Sequence, residues 1–96
     1  MIVTIDELKA PLKIEHDDED TYLASLIARA QGAAEDYCRV SFEETDPVPE
    51  PAKQAVLLMA CYHYEHPDMD NAASYKTMRA AFEALLYPHR DETKML

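Results

Sequence analysis

The residues with most capacity for chemistry are His63 and His66, three apart at the end of an apolar segment, with Glu65, Asp68 and Asp70 beside them. Imidazole and carboxylate together can ligate zinc or another divalent ion. A zinc-protease helix, however, needs two histidines four apart with glutamate after the first, and here Tyr64 follows His63. Read as a calcium loop starting at Asp68, the segment puts Ala73 where glycine is required and Arg79 where the closing glutamate is required. Histidines also suit a helix C-terminus, where a positive ring meets unpaired carbonyls, and that is the reading adopted for this pair. The acid run Asp17 to Asp20 could offer oxygens to magnesium, but consecutive residues at a helix start point in different directions, so capping and solvation explain it better. Neither Cys38 nor Cys61 has a histidine neighbour, Ser25 and Ser41 lack a nucleophile elbow, and a single glycine excludes a phosphate-cradling loop. Both cysteines read as buried reduced thiols. No catalytic, cofactor-binding or metal site is assigned, and the chain is not expected to be an enzyme; a metal-assisted hydrolase using His63 and His66 is the weakest of the readings considered.

Tyrosine offers a different capacity, since its ring is apolar and its hydroxyl tolerates water, a combination suited to interfaces. There are six tyrosines and no tryptophan. Tyr62 and Tyr64 cannot share one face of a helix. Tyr22, Tyr37 and Tyr64 are expected at the edge of the core with wet hydroxyls, leaving Tyr62, Tyr75 and Tyr87 as interface candidates.

The elements that must position these residues are all helical. Thr4 and Glu7 form a capping-box pattern that starts a short helix, which Pro11 should end near Ala10. Asp17 or Asp18 is expected to cap a long second helix, in which Tyr22, Leu23, Leu26, Ile27, Ala30, Ala33, Ala34 and Tyr37 recur at three- and four-residue spacing. Glu35 and Arg39 form a favourable i,i+4 pair near its end. Ala28, Ala30, Gly32, Ala33 and Ala34 would let other helices approach on more than one side. Pro47, Pro49 and Pro51 then force an extended, proline-rich loop, and Pro51 suits the first turn of a third helix over 52–64. That helix is apolar nearly all round, so it must be central or contact a second subunit. A fourth helix from about Ser74 presents Met78, Ala81, Phe82, Leu85 and Leu86 on one face and stops at Pro88. The expectation is one small all-α bundle over residues 1–90, with residues 91–96 a mobile tail.

Length and charge bound the function. Ninety-six residues fit one domain, and the net charge of −10 repels polyanions, which argues against a grip on nucleic acid. No apolar run approaches the ~20 residues of a bilayer span, and the acidic start MIVTIDE is wrong for a signal peptide. Residues 1–20 and 35–50 each carry a net charge of −5, whereas residues 76–96 carry +1, so a head-to-tail contact between unlike ends is conceivable.

Several segments, in order, carry a family resemblance: the opening MIVTIDELKAPLKI, the acidic HDDED, the long helix ending AAEDYCRVSF, the lead PEPAKQAVLLMACYHYEH and the terminal ALLYPHR. Within them stand Ile14 before the acid run, Tyr37 and Arg39 as an aromatic-x-Arg ending, and a leucine pair ahead of Pro88 and Arg90. From about Ile2 to Arg90 the chain resembles the small head-to-tail connector, or adaptor, proteins of long-tailed bacteriophages and prophages. The resemblance implies a structural protein without cofactor, forming a ring of about a dozen copies beneath the portal and extending the DNA channel towards the tail. Itself, the portal protein and a tail-side neck protein would be its partners, with DNA passing through unbound. It would reside in the virion neck, and in the host cytoplasm before assembly. Tyr62, Tyr75, Tyr87, Pro88, His89 and Arg90 are the candidate subunit or portal interface, with residues 87–96 disordered until docked. The alternative is a small acidic helical regulatory module that binds one cytoplasmic protein.

Overall fold

A computed structural model describes residues 1–45, 47–67 and 72–91. Four helices, α1 (Ile5–Leu12), α2 (Asp20–Cys38), α3 (Glu50–Glu65) and α4 (Ala72–Leu86), account for the fold, and no strand occurs among the described residues. Short 3₁₀ turns at Phe42–Glu44 and Tyr87–His89 complete it. The molecule is a flat body of 43 × 32 × 17 Å in which α3 packs against α2, α4 and α1. The all-round apolar helix is therefore the centre of the bundle, burying Ala52, Ala55, Val56, Met59, Ala60, Tyr62 and His63. Around it the core is filled by Leu8, Leu23, Leu26, Ile27, Phe42, Phe82 and Leu86.

The helix ends show which local rules operate. The Thr4 hydroxyl accepts the Glu7 N–H at 3.0 Å and the Glu7 carboxylate accepts the Thr4 N–H at 2.9 Å, so the capping box forms as expected. Pro11 does not end α1 at Ala10; the helix runs to Leu12. Proline removes only one helical bond so close to the end. The chain then reverses at Lys13 in the left-handed region (φ 59°), where the Lys13 and Ile14 N–H groups reach back to the Ala10 and Lys9 carbonyls. This is a Schellman closure built without glycine, at a cost of about 1 kcal/mol for the lysine. Arg39 ends α2 in the same left-handed conformation (φ 63°), its N–H on the Glu35 carbonyl.

Asp17 and Asp18 do not cap α2. The N-cap is Glu19, with no side-chain cap bond. Asp17 and Asp20 instead place oxygens 2.8 and 2.7 Å from the ammonium of Lys9, whose stem is buried. This pairing raises the Lys9 pKa and lowers that of Asp17. A cation held between two carboxylates competes better for Asp17 than a single backbone amide does. The Glu35–Arg39 pair is also replaced: the Glu35 carboxylate accepts the Phe42 N–H at 2.8 Å and the Gln31 amide at 3.3 Å. Gln31 is buried and takes the Ile2 N–H at 2.8 Å, and its own amide reaches Glu43 at 3.0 Å. The amino terminus pairs with Glu43 as well. One glutamine thus ties the N-terminal segment and the 3₁₀ turn at Phe42 to α2.

Of the small residues in α2, only Ala30 and Ala34 lie in the core; Ala28 and Gly32 face outward, and nothing lies within 4 Å of where a Gly32 Cβ would stand. On α4, Ala81 is exposed while Met78, Phe82 and Leu86 are buried, so the apolar face is narrower than expected.

Two substitutions test this account. Gly32→Ala should stabilise the protein by about 0.5–1 kcal/mol in urea denaturation, because helix entropy improves with no clash. Gln31→Ala should destabilise it by ~1–3 kcal/mol, because the Ile2 amide is left buried without a partner.

Candidate assembly surface

The two ends of α4 carry the candidate residues. At its start, against the end of α3, Tyr62 and Tyr75 meet edge to face with ring centroids 5.9 Å apart, and His66 stacks on Tyr62 at 4.3 Å. Tyr62 is only 7% exposed, which reverses the expectation that it looks outward; Tyr64 is the residue at the edge. Tyr64 donates its hydroxyl to Glu19 at 2.8 Å, so that hydroxyl is tied to protein and not simply wet. Tyr22 lies beside it, its ring 6.3 Å away and 42% exposed. Tyr75 is half-buried. Beside Tyr62 a groove of about 480 Å³ runs between α3 and α4, lined by Leu58, Glu65, Ser74, Thr77 and Met78. The strip Leu57, Leu58 and Cys61 along the outer side of α3 is half-buried, so some of the central helix still reaches the surface.

At the far end of α4, Tyr87 is 57% exposed and Pro88 is exposed, while His89 and Arg90 are partly covered. Tyr87–His89, the start of the stretch 87–96 expected to order only on docking, form a 3₁₀ turn. Pro88 stops α4 but starts a 3₁₀ turn. The Arg90 guanidinium lies 4.6 Å from the centre of the Tyr37 ring, and its Nε donates to the Tyr37 carbonyl at 3.2 Å. The Asp91 N–H donates to the Cys38 carbonyl at 2.7 Å, and the Cys38 thiol lies 3.6 Å from the Leu86 carbonyl. Carbonyls left open at the end of α2 are thereby taken by the C-terminal segment. Asp91, assigned to the tail, is part of this closure; residues 92–96 lie outside the described residues.

The groups with chemical capacity do not converge. Asp68 and Asp70 lie outside the described residues, and among those described no group of three or more His, Cys, Asp or Glu side chains comes together as a metal site requires. His63 is buried and His66 shares a short contact of 3.2 Å between its Nδ1 and the Tyr62 carbonyl. Cys38 is buried and Cys61 half-buried, both unpaired with each other, and burial pushes both thiols up, which keeps them protonated and weakly nucleophilic. The residues missed in sequence are Lys9, Gln31 and Phe42. Of these Gln31 alone leaves a sequence signal: it lies four after Ile27 and one after Ala30, inside the apolar stripe of α2.

The described residues form an all-helical body with an acid-rich front and a tyrosine-bearing corner, and among them no group of three or more metal-ligating side chains comes together. The chain belongs to the Phage gp6-like head-tail connector proteins, whose family model matches residues 2–90. No curated protein and no solved structure matches it. It is accordingly a component of the phage virion that works by contact with other virion proteins. No helix among the described residues is long and apolar enough to cross a membrane.

Arg90→Ala should release the corner from the end of α2. Hydrogen exchange at the Asp91 amide is expected to accelerate about tenfold, while the amides of α3 keep their protection.

Proposed function

We propose that this connector assembles as a ring of about a dozen copies beneath the portal vertex, extending the DNA channel towards the tail. Membership of the connector family over residues 2–90 carries the reading. A closed ring needs a heterologous contact, in which one face of each subunit meets a different face of the next. Two unlike surfaces support this: acid-rich segments over 1–20 and 35–50, and a C-terminal region from Lys76 onward with a charge of +1. The half-buried strip Leu57, Leu58 and Cys61 and the groove beside Tyr62 are apolar surface that a neighbouring copy would cover.

The portal protein and a tail-side neck protein are the proposed partners. The corner Tyr87, Pro88, His89 and Arg90, with Tyr75 at the other end of α4, is the proposed contact surface. Tyr87 projects from a turn already held by Arg90, so little freedom is lost when it docks. DNA would pass without specific binding, since a net charge of −10 disfavours the phosphate grip that a basic lining creates. The protein would wait in the host cytoplasm and end in the virion neck.

Electron microscopy of the protein mixed with cognate portal assemblies tests the proposal. A ring added below the portal is expected; failure to bind under all conditions, or a ring with a basic channel wall, overturns it. In the same assay Tyr87→Ala should weaken portal binding at least about tenfold, or ~1.4 kcal/mol, with unchanged helix content.

A further inference from the structure

His63 occupies a place in the fold that the connector reading leaves unused. It lies in the last turn of α3, 7% exposed, and its Nδ1 is buried with no hydrogen-bond partner. From α3, Tyr62 meets it edge-on with ring centroids 5.9 Å apart. From α4, Tyr75 lies at 6.4 Å. From α2 the positive charge of Arg29 acts on the ring through space. His66, stacked on Tyr62, completes a cluster of four rings at the corner where α3 turns into α4.

Among the described residues, the charge acting on His63 is that of a cation. Tyr62 and Tyr75 are neutral, and Arg29 is a cation. Arg79, further along α4, is engaged by Glu83 at 2.9 Å. Glu19 is engaged by Tyr64, and Glu65 is exposed. Among the described residues, no carboxylate pairs with the His63 ring. The α3 C-terminus would favour a cation at its open carbonyls, but His66 occupies that position through its contact with the Tyr62 carbonyl. A proton added to His63 would create a buried charge with no carboxylate partner among the described residues, opposed by the positive field of Arg29.

We propose that His63 is a pH-sensitive latch on the α3–α4 corner: neutral, it lets α4 close on α3, and protonated, it drives the corner open. Burial first, and Arg29 second, hold its pKa below the ordinary imidazole value of 6.5. The open or unfolded state therefore binds the proton more readily than the closed one. The contribution to stability is full above pH 6.5 and is lost as pH falls through 6.5 towards the closed-state value. At pH 5.5, one unit below the ordinary value, opening should be favoured up to about tenfold relative to pH 7.5.

The test is hydrogen exchange of the α4 amides at pH 7.5 and 5.5, corrected for the intrinsic pH dependence of exchange. Protection should fall by up to about tenfold in the natural protein, stay unchanged across this range in His63→Gln, and still fall in His66→Gln. An NMR titration of the unsubstituted protein supplies a reading independent of any variant: the His63 resonance should titrate below 6.5. A midpoint at or above 6.5, or pH dependence that persists in His63→Gln, overturns the proposal.

Discussion

A helix apolar on nearly every side cannot be left in water, and the rest of this chain is arranged to meet that constraint on α3. Burial of aliphatic side chains contributes on the order of 1.5–3 kcal/mol each when complete. Val56 and Met59, with the alanines of the same helix, therefore draw in α2 and α4, while α1 packs on as a third partner. The alanines at 52, 55 and 60 keep the neighbouring helices close. Three helices side by side give a thin body, and thinness has a result: the outer strip Leu57, Leu58 and Cys61 remains only half covered. The same helix that organises the fold thus leaves apolar surface that the proposed ring neighbour would cover.

Polar anchors fix what burial alone leaves loose. Hydrophobic packing does not dictate where a short helix or a chain terminus lies, because it has little direction. Lys9, clamped by Asp17 and Asp20, sets α1 against the start of α2. Gln31 binds the Ile2 amide and, with Glu35, joins the turn at Phe42 to the middle of α2. Arg90 and Asp91 close the end of α2. Together these bonds hold the N-terminal segment, the turn at Phe42 and the segment Arg90–Asp91 to the same long helix.

Much of the architecture was legible from local rules. The capping box at Thr4, the period of α2, the role of Pro51 and the stop at Pro88 each depend on a few adjacent residues, and each appears as expected. Tyr64 stands at the core edge as expected, whereas Tyr62 is enclosed for a physical reason: a stripe that surrounds a helix has no phase, so periodicity cannot say which tyrosine points inward. Asp17 and Glu35 were given local partners when more distant ones, Lys9 and the Phe42 amide, compete better. Pro11 was overruled because the turn after it supplies backbone bonds that its own position lacks. The candidate surface was legible only as a list of tyrosines and a C-terminal motif. That Tyr87 stands out on a braced turn while Tyr62 is enclosed depends on how α4 lies along α3, which no single segment encodes.

Both helix reversals at Lys13 and Arg39 adopt left-handed backbone without glycine, and the chain's only glycine sits within α2. Pro47, Pro49 and Pro67 stiffen the connections on either side of α3. A polypeptide made this way has fewer conformations to wander through when denatured, so less disorder must be surrendered on folding. The small strain stored at the two bends is set against that narrower denatured ensemble. For a component meant to slot into a larger machine, the benefit is a shape that arrives already set.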